Sequence, residues 1–117
     1  MRIGEVADRT ELSLRTLRHY DEIGLVTPSA RTEGGFRLYT DDDVARILLI
    51  RRMKPLGYSL EEMSELLVVV DALAATPTDS ALRGRLDDIR AAATERRERL
   101  TRQVAMADEF LELLAGV

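Results

Sequence analysis

The sequence predicts a mainly α-helical fold, with a small head that carries a hairpin and one long C-terminal helix. Residues 3–23 hold two short segments with helical spacing of apolar residues and a turn of about three residues between them. A glycine pair at 34–35 separates two segments of extended character. Residues 79–114 contain no proline and one internal glycine, and apolar residues recur there every three or four positions.

The first two segments form a helix-turn-helix candidate. Residues 3–9 place Ile3, Val6 and Ala7 on one helical face. Ser13 suits the N-cap of the second helix, because its hydroxyl can accept hydrogen bonds from the backbone of the next turn. We expect this helix to run to about residue 23, where Gly24 fits a C-terminal stop.

Residues 25–39 predict a small β-hairpin, or wing. The segment 25–28 has extended character and ends at a proline, and the segment 36–39 alternates like a short strand. Between them, Gly34 and Gly35 can both supply the positive φ angles that a tight hairpin turn requires.

Two further helices complete the head. Thr40 with Asp43, and Ser59 with Glu62, have the spacing of capping boxes. The acidic run 41–43 lies where a helix dipole favours negative charge, and it lacks the glycine and glutamate of a calcium loop. The apolar residues that we expect these helices to bury are Val44, Ile47, Leu48, Ile50, Leu60, Met63, Leu66, Leu67 and Val70.

The boundaries between the head and the long helix follow from one apparent linker. We expect a head over residues 1–71, a linker over 72–78 and a long helix over 79–117. A helix of about 36 residues would be about 54 Å long, so a small head cannot cover its apolar stripe and self-association is predicted. This stripe, the seam of the predicted coiled coil, also includes two polar residues, Arg96 and Gln103. The dimerisation residues that we predict are Leu82, Leu86, Ile89, Ala93, Leu100, Ala107, Phe110 and Leu114.

Composition excludes several classes of function. Of the 117 residues, 45% are hydrophobic and 32% charged, which is typical of a globular protein. There is no cysteine and only one histidine, which argues against disulfides, thiolate metal sites and imidazole zinc sites. With no phosphate-binding loop and no nucleophile motif, we expect no enzyme activity, no cofactor and no metal.

Charge and hydropathy bear on location and partners. No stretch approaches the roughly 18 apolar residues of a membrane span, and the N-terminus lacks a signal-peptide core, so we expect a cytoplasmic protein without a membrane partner. The net charge of −4 hides an asymmetry. Residues 1–58 hold ten basic and nine acidic side chains, and residues 59–117 hold seven and twelve. A nucleic-acid face needs only local positive charge.

Six segments and one further residue of the head, spread over about half of the chain, follow a known pattern: Arg2–Ala7, Ser13–Asp21, Gly24–Pro28, Arg31, Gly35–Tyr39, Asp43–Ile47 and Gly57–Glu62. In their order and spacing they resemble regulators of the MerR family. Two positions depart from the family pattern. Glu11 stands in the first turn where the family usually has glycine, and Phe36 replaces a more usual tyrosine in the wing.

The resemblance implies a homodimer whose long helices form an antiparallel coiled coil. Each winged helix-turn-helix head would enter one major groove of double-stranded DNA, at a pseudo-palindromic promoter operator. Members of the family bend and untwist an overlong promoter spacer so that RNA polymerase can use it. The chain resembles a short form without a C-terminal ligand-binding domain. Its effector is unknown: an apolar site near Met63, Met106 or Phe110 and constitutive DNA binding are equally open.

Eleven residues of the head are predicted to contact DNA. Arg15 and Arg18 share a face of the second helix, and an arginine can bind a guanine edge or a phosphate. Arg31 and Arg37 flank the wing turn, which favours phosphate or minor-groove contact. Capping or packing roles remain open for several of the others. The full set is Ser13, Arg15, Thr16, Arg18, His19, Tyr20, Arg31, Phe36, Arg37, Tyr39 and Tyr58.

Two other functions remain possible. The chain could be a protein-interaction module that docks a partner through its long helix and carries a vestigial head. It could also be a monomeric DNA-bending protein of the excisionase kind. The retained arginines and intact wing argue against the first function, and the apolar seam of the long helix argues against the second.

Overall fold

The computed structural model describes residues 1–117 as five α-helices, one short 3-10 helix and a two-stranded antiparallel sheet. No helix combines the length and the apolar composition needed to cross a membrane. The chain divides into two compact units, residues 1–67 and 68–117. The elements in order are α1 Ile3–Thr10, α2 Leu14–Glu22, β1 Ala30–Arg31, β2 Arg37–Leu38, α3 Asp41–Met53, the 3-10 helix Lys54–Leu56, α4 Leu60–Ala75 and α5 Ser80–Ala115.

The helix-turn-helix prediction is confirmed, since α1 packs on α2 after a connection over residues 11–13. Glu11 ends α1 in the left-handed conformation, with φ 56° and ψ 29°. A non-glycine residue in this conformation costs about 1–2 kcal/mol. The Glu11 carboxylate lies 2.8 Å from Nη2 of Arg51 on α3, so the side chain that replaces glycine has acquired a partner.

Both predicted capping boxes are present. The Thr40 hydroxyl accepts from the Asp43 amide at 3.2 Å, and the Asp43 carboxylate accepts from the Thr40 amide at 2.9 Å. Ser59 and Glu62 make the same exchange at 3.1 and 2.9 Å. These reciprocal bonds satisfy amides at a helix start that have no partner within the helix.

The wing is a hairpin in which Ala30 pairs with Leu38 and Arg31 with Arg37. Its first strand begins later than the expected extended segment 25–28. The amides of residues 25 and 26 instead donate to the Tyr20 carbonyl, which closes the end of α2. Only Gly35 of the glycine pair takes a positive φ, at 81°, so the expectation of two left-handed glycines was wrong.

One apolar core holds the first unit together. The expectation that α4 buries Leu60 was wrong: Leu60 is 44% exposed at the first position of the helix. Val69, and not Val70, is fully buried, and it lies in the second unit. The buried core residues are Val6, Leu17, Tyr20, Val26, Tyr39, Val44, Ile47, Ile50, Met53, Met63 and Leu67.

The second unit contains the end of α4 and all of α5. Helix α4 continues to Ala75, so the connection is residues 76–79 and is shorter than the expected linker over 72–78. Leu73 is buried, which favours continuation of the helix through the alanines that follow it. Asp79 caps α5 by accepting from the Leu82 amide at 3.0 Å.

Helix α5 spans 36 residues, as predicted. The exposure of its apolar seam increases from the first part of the helix to the last. A short connection favours antiparallel packing of α4 and α5. Val69 and Leu73 of α4 are buried, and the first part of the seam on α5 is half-buried. Every residue from Leu100 onward is exposed. The half-buried seam residues are Leu82, Leu86, Ile89, Ala93 and Arg96.

Candidate nucleic-acid interface

The outer face of α2 carries two arginines that have no partner within the chain. Arg15, Arg18 and His19 are exposed, whereas Leu17 and Tyr20 of the same helix enter the core. Neither arginine takes part in an ion pair or a hydrogen bond. Their guanidinium groups therefore present all their N–H donors to a partner outside the chain.

A surface groove of about 900 Å³ lies beside this face. It lies between α2, the 3-10 helix and the start of α4, so that Lys54 lines the same groove as the α2 arginines. Lys54 is exposed and has no ion pair. Lys54 is not among the predicted contacts, because a lysine at the end of a helix is ordinary and carries no signal of its own. The lining residues are Arg15, Thr16, Arg18, His19, Tyr20, Glu22, Lys54, Tyr58, Ser59, Leu60 and Met63.

Three predicted contacts near the groove have structural roles as well. The Ser13 hydroxyl accepts from the Thr16 amide at 3.0 Å and lies 2.9 Å from the Thr16 hydroxyl, so Ser13 is the N-cap of α2. Tyr58 is half-buried and packs against the core. Thr16 and Tyr58 also line the groove.

The wing arginines differ from those of α2, because both bind Asp21 near the end of that helix. Nη2 of Arg31 and Nε of Arg37 lie 2.8 and 2.6 Å from the same carboxylate oxygen of Asp21. The predicted DNA contact of Arg31 and Arg37 stays a prediction, and both side chains already have a partner within the chain. The 10% exposed Asp21 side chain ties the wing to α2 through two charge-assisted hydrogen bonds.

Electrostatics support this tie. Burial of the Asp21 carboxyl opposes its ionisation, but the hydrogen bonds and charges of Arg37 and Arg31 outweigh burial and lower its pKa below the usual value of 3.8. The hydrogen bond to Asp21 in turn raises the pKa of Arg37. Asp21 is therefore a charged acceptor between two arginines at neutral pH.

Two predicted tyrosines lie in the core. Tyr20 is 4% and Tyr39 2% exposed, and burial raises the pKa of both. The Tyr39 hydroxyl is buried without a hydrogen-bond partner. This placement favours the packing role for both rings over contact with a phosphate.

Phe36 is the predicted wing residue that stands out into solvent, with 61% of its surface exposed. The guanidinium carbon of Arg2 lies 5.2 Å from the centre of the Phe36 ring. Sequence reasoning missed Arg2, because a basic residue before the first helix has no pattern that links it to a wing more than thirty positions away.

Comparisons with known proteins point to one family. A family model described as "MerR HTH family regulatory protein" matches residues 1–68, and one described as "MerR, DNA binding" matches residues 44–112. Among solved structures, HiNmlR, a MerR family regulator lacking the sensor domain and bound to promoter DNA, aligns with a TM-score of 0.66 and 26% identity, over 97% of this chain and 82% of that one.

Curated relatives point to the same family. Heavy metal-dependent transcription regulator 2 of Rhizobium meliloti (strain 1021) is 34% identical over 99% of this chain and 75% of its own length. The mercuric resistance operon regulatory protein of Bacillus cereus is 44% identical over 60% of this chain, and the match spans about half, 53%, of that relative. The chain is therefore not an enzyme but a DNA-binding transcription regulator, and it belongs to the MerR family.

Proposed function

We propose that the protein acts on DNA in the cytoplasm as a homodimer, at a pseudo-palindromic promoter operator. Helix α2 of each protomer enters a major groove, and the wing contacts the adjoining backbone. The dimer bends and untwists the promoter spacer for RNA polymerase, as the family resemblance implies. The bound promoter DNA of the related HiNmlR supports the choice of target.

One observation carries the proposal: the exposed face of α2 holds Arg15 and Arg18 without any intramolecular partner, and Lys54 lies across the groove. Structural arginines on a charged surface commonly pair with neighbouring acids, as Arg51 does with Glu11. Unpaired donors on the outer helix of a helix-turn-helix are suited to guanine edges and phosphates. The cations of the groove thus offer base readout and backbone contact on one face.

The exposed end of α5 supports the dimer. Apolar surface in water costs roughly 25 cal/mol per Å², and a second copy of the helix would remove it from water. Since the first part of the seam is half-buried within the protomer, we expect Leu100, Ala107, Phe110 and Leu114 to carry most of the association. A two-fold dimer presents two identical heads, which is why the operator is expected to be pseudo-palindromic.

Sequence-specific binding to the operator can be tested by fluorescence anisotropy over a salt series. The two probes are duplex DNA from the promoter upstream of the gene and a scrambled duplex. We expect salt-dependent binding that prefers the promoter, and at least a tenfold loss of affinity in Arg18→Ala. Arg102→Ala is the matched control, since Arg102 is exposed, unpaired and off the apolar seam. Absence of binding to any duplex at low salt would favour the protein-interaction module instead.

Sedimentation equilibrium tests the dimer separately. The wild-type chain should have twice the mass of one protomer, and Leu100→Glu combined with Phe110→Glu should yield a helical monomer. The same substitutions should weaken binding to the full operator far more than binding to one half-site. A wild-type monomer at micromolar concentration would contradict the proposed assembly.

A further inference from the structure

The N-terminal residues of the chain extend the wing. Arg2 is extended, with φ −81° and ψ 160°, and forms an antiparallel bridge with Leu38 of β2. The Tyr39 amide donates to the Met1 carbonyl at 2.7 Å. Residues 1 and 2 therefore lie along the edge of the hairpin, and Arg2 lies on the wing although it immediately precedes α1.

This position places the Arg2 guanidinium over the Phe36 ring, 5.2 Å from its centre. A guanidinium on an aromatic face keeps its N–H edges available, because the ring occupies only its flat side. Stacking also restricts the rotamers of a long side chain, so less entropy is lost when an outside partner binds. The pair is exposed on both members.

Arg2 also differs from the other arginines of the wing in having no acidic partner. Arg31 and Arg37 share Asp21, whereas no ion pair or hydrogen bond involves the Arg2 side chain. The wing as folded thus has one cation whose donors are wholly available. That cation lies over the one large apolar side chain that the wing exposes.

We propose that Arg2 and Phe36 form a single DNA-contacting unit, in which the Arg2 guanidinium binds a backbone phosphate and the Phe36 ring packs on the neighbouring sugar. The inference rests on the proposed function, and it adds Arg2 to the interface. It also explains how this wing does without the tyrosine hydroxyl that is usual at position 36: the phosphate donor comes from Arg2. A phosphate ligand contributes to affinity but little to sequence choice.

A double-mutant cycle on the full-length protein tests the coupling. We compare wild type with Arg2→Gln, Phe36→Ala and the double variant, with Arg102→Ala as control, by anisotropy against promoter and scrambled duplexes. Arg2→Gln should weaken both complexes by about threefold to tenfold and lower the salt dependence by about one phosphate contact. The double variant should be scarcely weaker than Phe36→Ala, because the ring positions the guanidinium.

Phe36→Tyr tests whether a hydroxyl at position 36 can compensate for the loss of Arg2. It should restore a hydroxyl donor and make Arg2→Gln less harmful than it is in the wild-type background. Far-ultraviolet circular dichroism and thermal melts confirm that each variant is folded. Strictly additive losses of affinity in the double variant would overturn the inference. An affinity and a salt dependence of Arg2→Gln equal to those of wild type would overturn it as well. In both cases, operator binding by the wild type would leave the proposed function standing. Failure of the wild type to bind any duplex would overturn both.

Discussion

Helix α2 and the wing each carry two arginines that were predicted to contact DNA, yet the fold treats them differently. Arg15 and Arg18 of α2 have no partner within the chain. Arg31 and Arg37 of the wing both bind Asp21, at 2.8 and 2.6 Å. Four similar residues in one sequence thus divide into two that are available to a ligand and two that organise the scaffold.

The difference teaches that the number of cations on a predicted DNA-binding face does not equal the number of cations whose donors are available to a ligand. An arginine that is already bound to a buried carboxylate gains less from a phosphate, because the existing bond must be shared or broken. Asp21 lies near the end of α2, so the pair also determines where the wing stands relative to that helix. We therefore expect the wing arginines to act on DNA binding partly by holding the wing in position.

The largest effect should come from removing the free cations. Replacing Arg15 and Arg18 together with alanine should lower operator affinity by at least a hundredfold, since each good base or phosphate contact contributes about 1–3 kcal/mol. The melting temperature should scarcely change, because neither side chain has an intramolecular partner. Anisotropy and thermal denaturation measure the two quantities. A large drop in melting temperature with little loss of affinity would reverse the comparison.

Asp21→Asn should have an intermediate effect on both quantities. Loss of a charged acceptor for two arginines should lower the free energy of unfolding by about 1–3 kcal/mol. Released from Asp21, Arg31 and Arg37 should raise affinity for scrambled duplex and steepen its salt dependence, so that discrimination in favour of the operator falls. Urea denaturation and anisotropy against both duplexes test this. Unchanged discrimination would show that the wing is held by other contacts. Asp87→Asn, at an exposed carboxylate of α5 without a partner, is the control.

The pH dependence of stability should show a smaller effect of the same carboxylate. The pKa of Asp21 is lowered in the fold, so its contribution is complete above the ordinary value of 3.8 and is lost as pH falls through the folded value. Burial opposes ionisation of Asp43 too, but hydrogen bonds from Thr40 and Ser29 outweigh it and lower its pKa. Stability should be flat above about pH 5 and fall below about pH 4. The fall should be shallower in Asp21→Asn, and equal slopes would contradict the assignment.

Tyr39→Phe should have the smallest effect and separates packing from contact in the wing. Its hydroxyl is buried without a partner, so its removal should leave the free energy of unfolding unchanged or raise it by up to about 1 kcal/mol. Operator affinity should equal that of wild type. A clear loss of affinity in anisotropy would mean that this hydroxyl reaches the DNA backbone in the complex.

Much of the head was predictable because the determining contacts are local. The Thr40–Asp43 and Ser59–Glu62 boxes join residues three apart, and Gly24 and Gly57 take the positive φ that ends a helical segment. Leu60 was assigned wrongly, because helical spacing alone does not say which neighbour lies over each face. Helix α4 extends beyond its expected end, because burial of Leu73 favours helix where composition suggested a linker.

By itself, the sequence determined the helix starts at their caps, the helix-turn-helix order, the hairpin and the long seam. Caps and turns depend on bonds between residues a few positions apart, and the seam depends on the regular spacing of apolar residues. Only the tertiary structure decided which cations are available. The Asp21 bonds to Arg31 and Arg37 span 10 and 16 positions, and the Arg2 contact with Phe36 joins the N-terminus to the wing. Such pairings depend on how whole elements pack, and packing also placed the Tyr39 hydroxyl in the core.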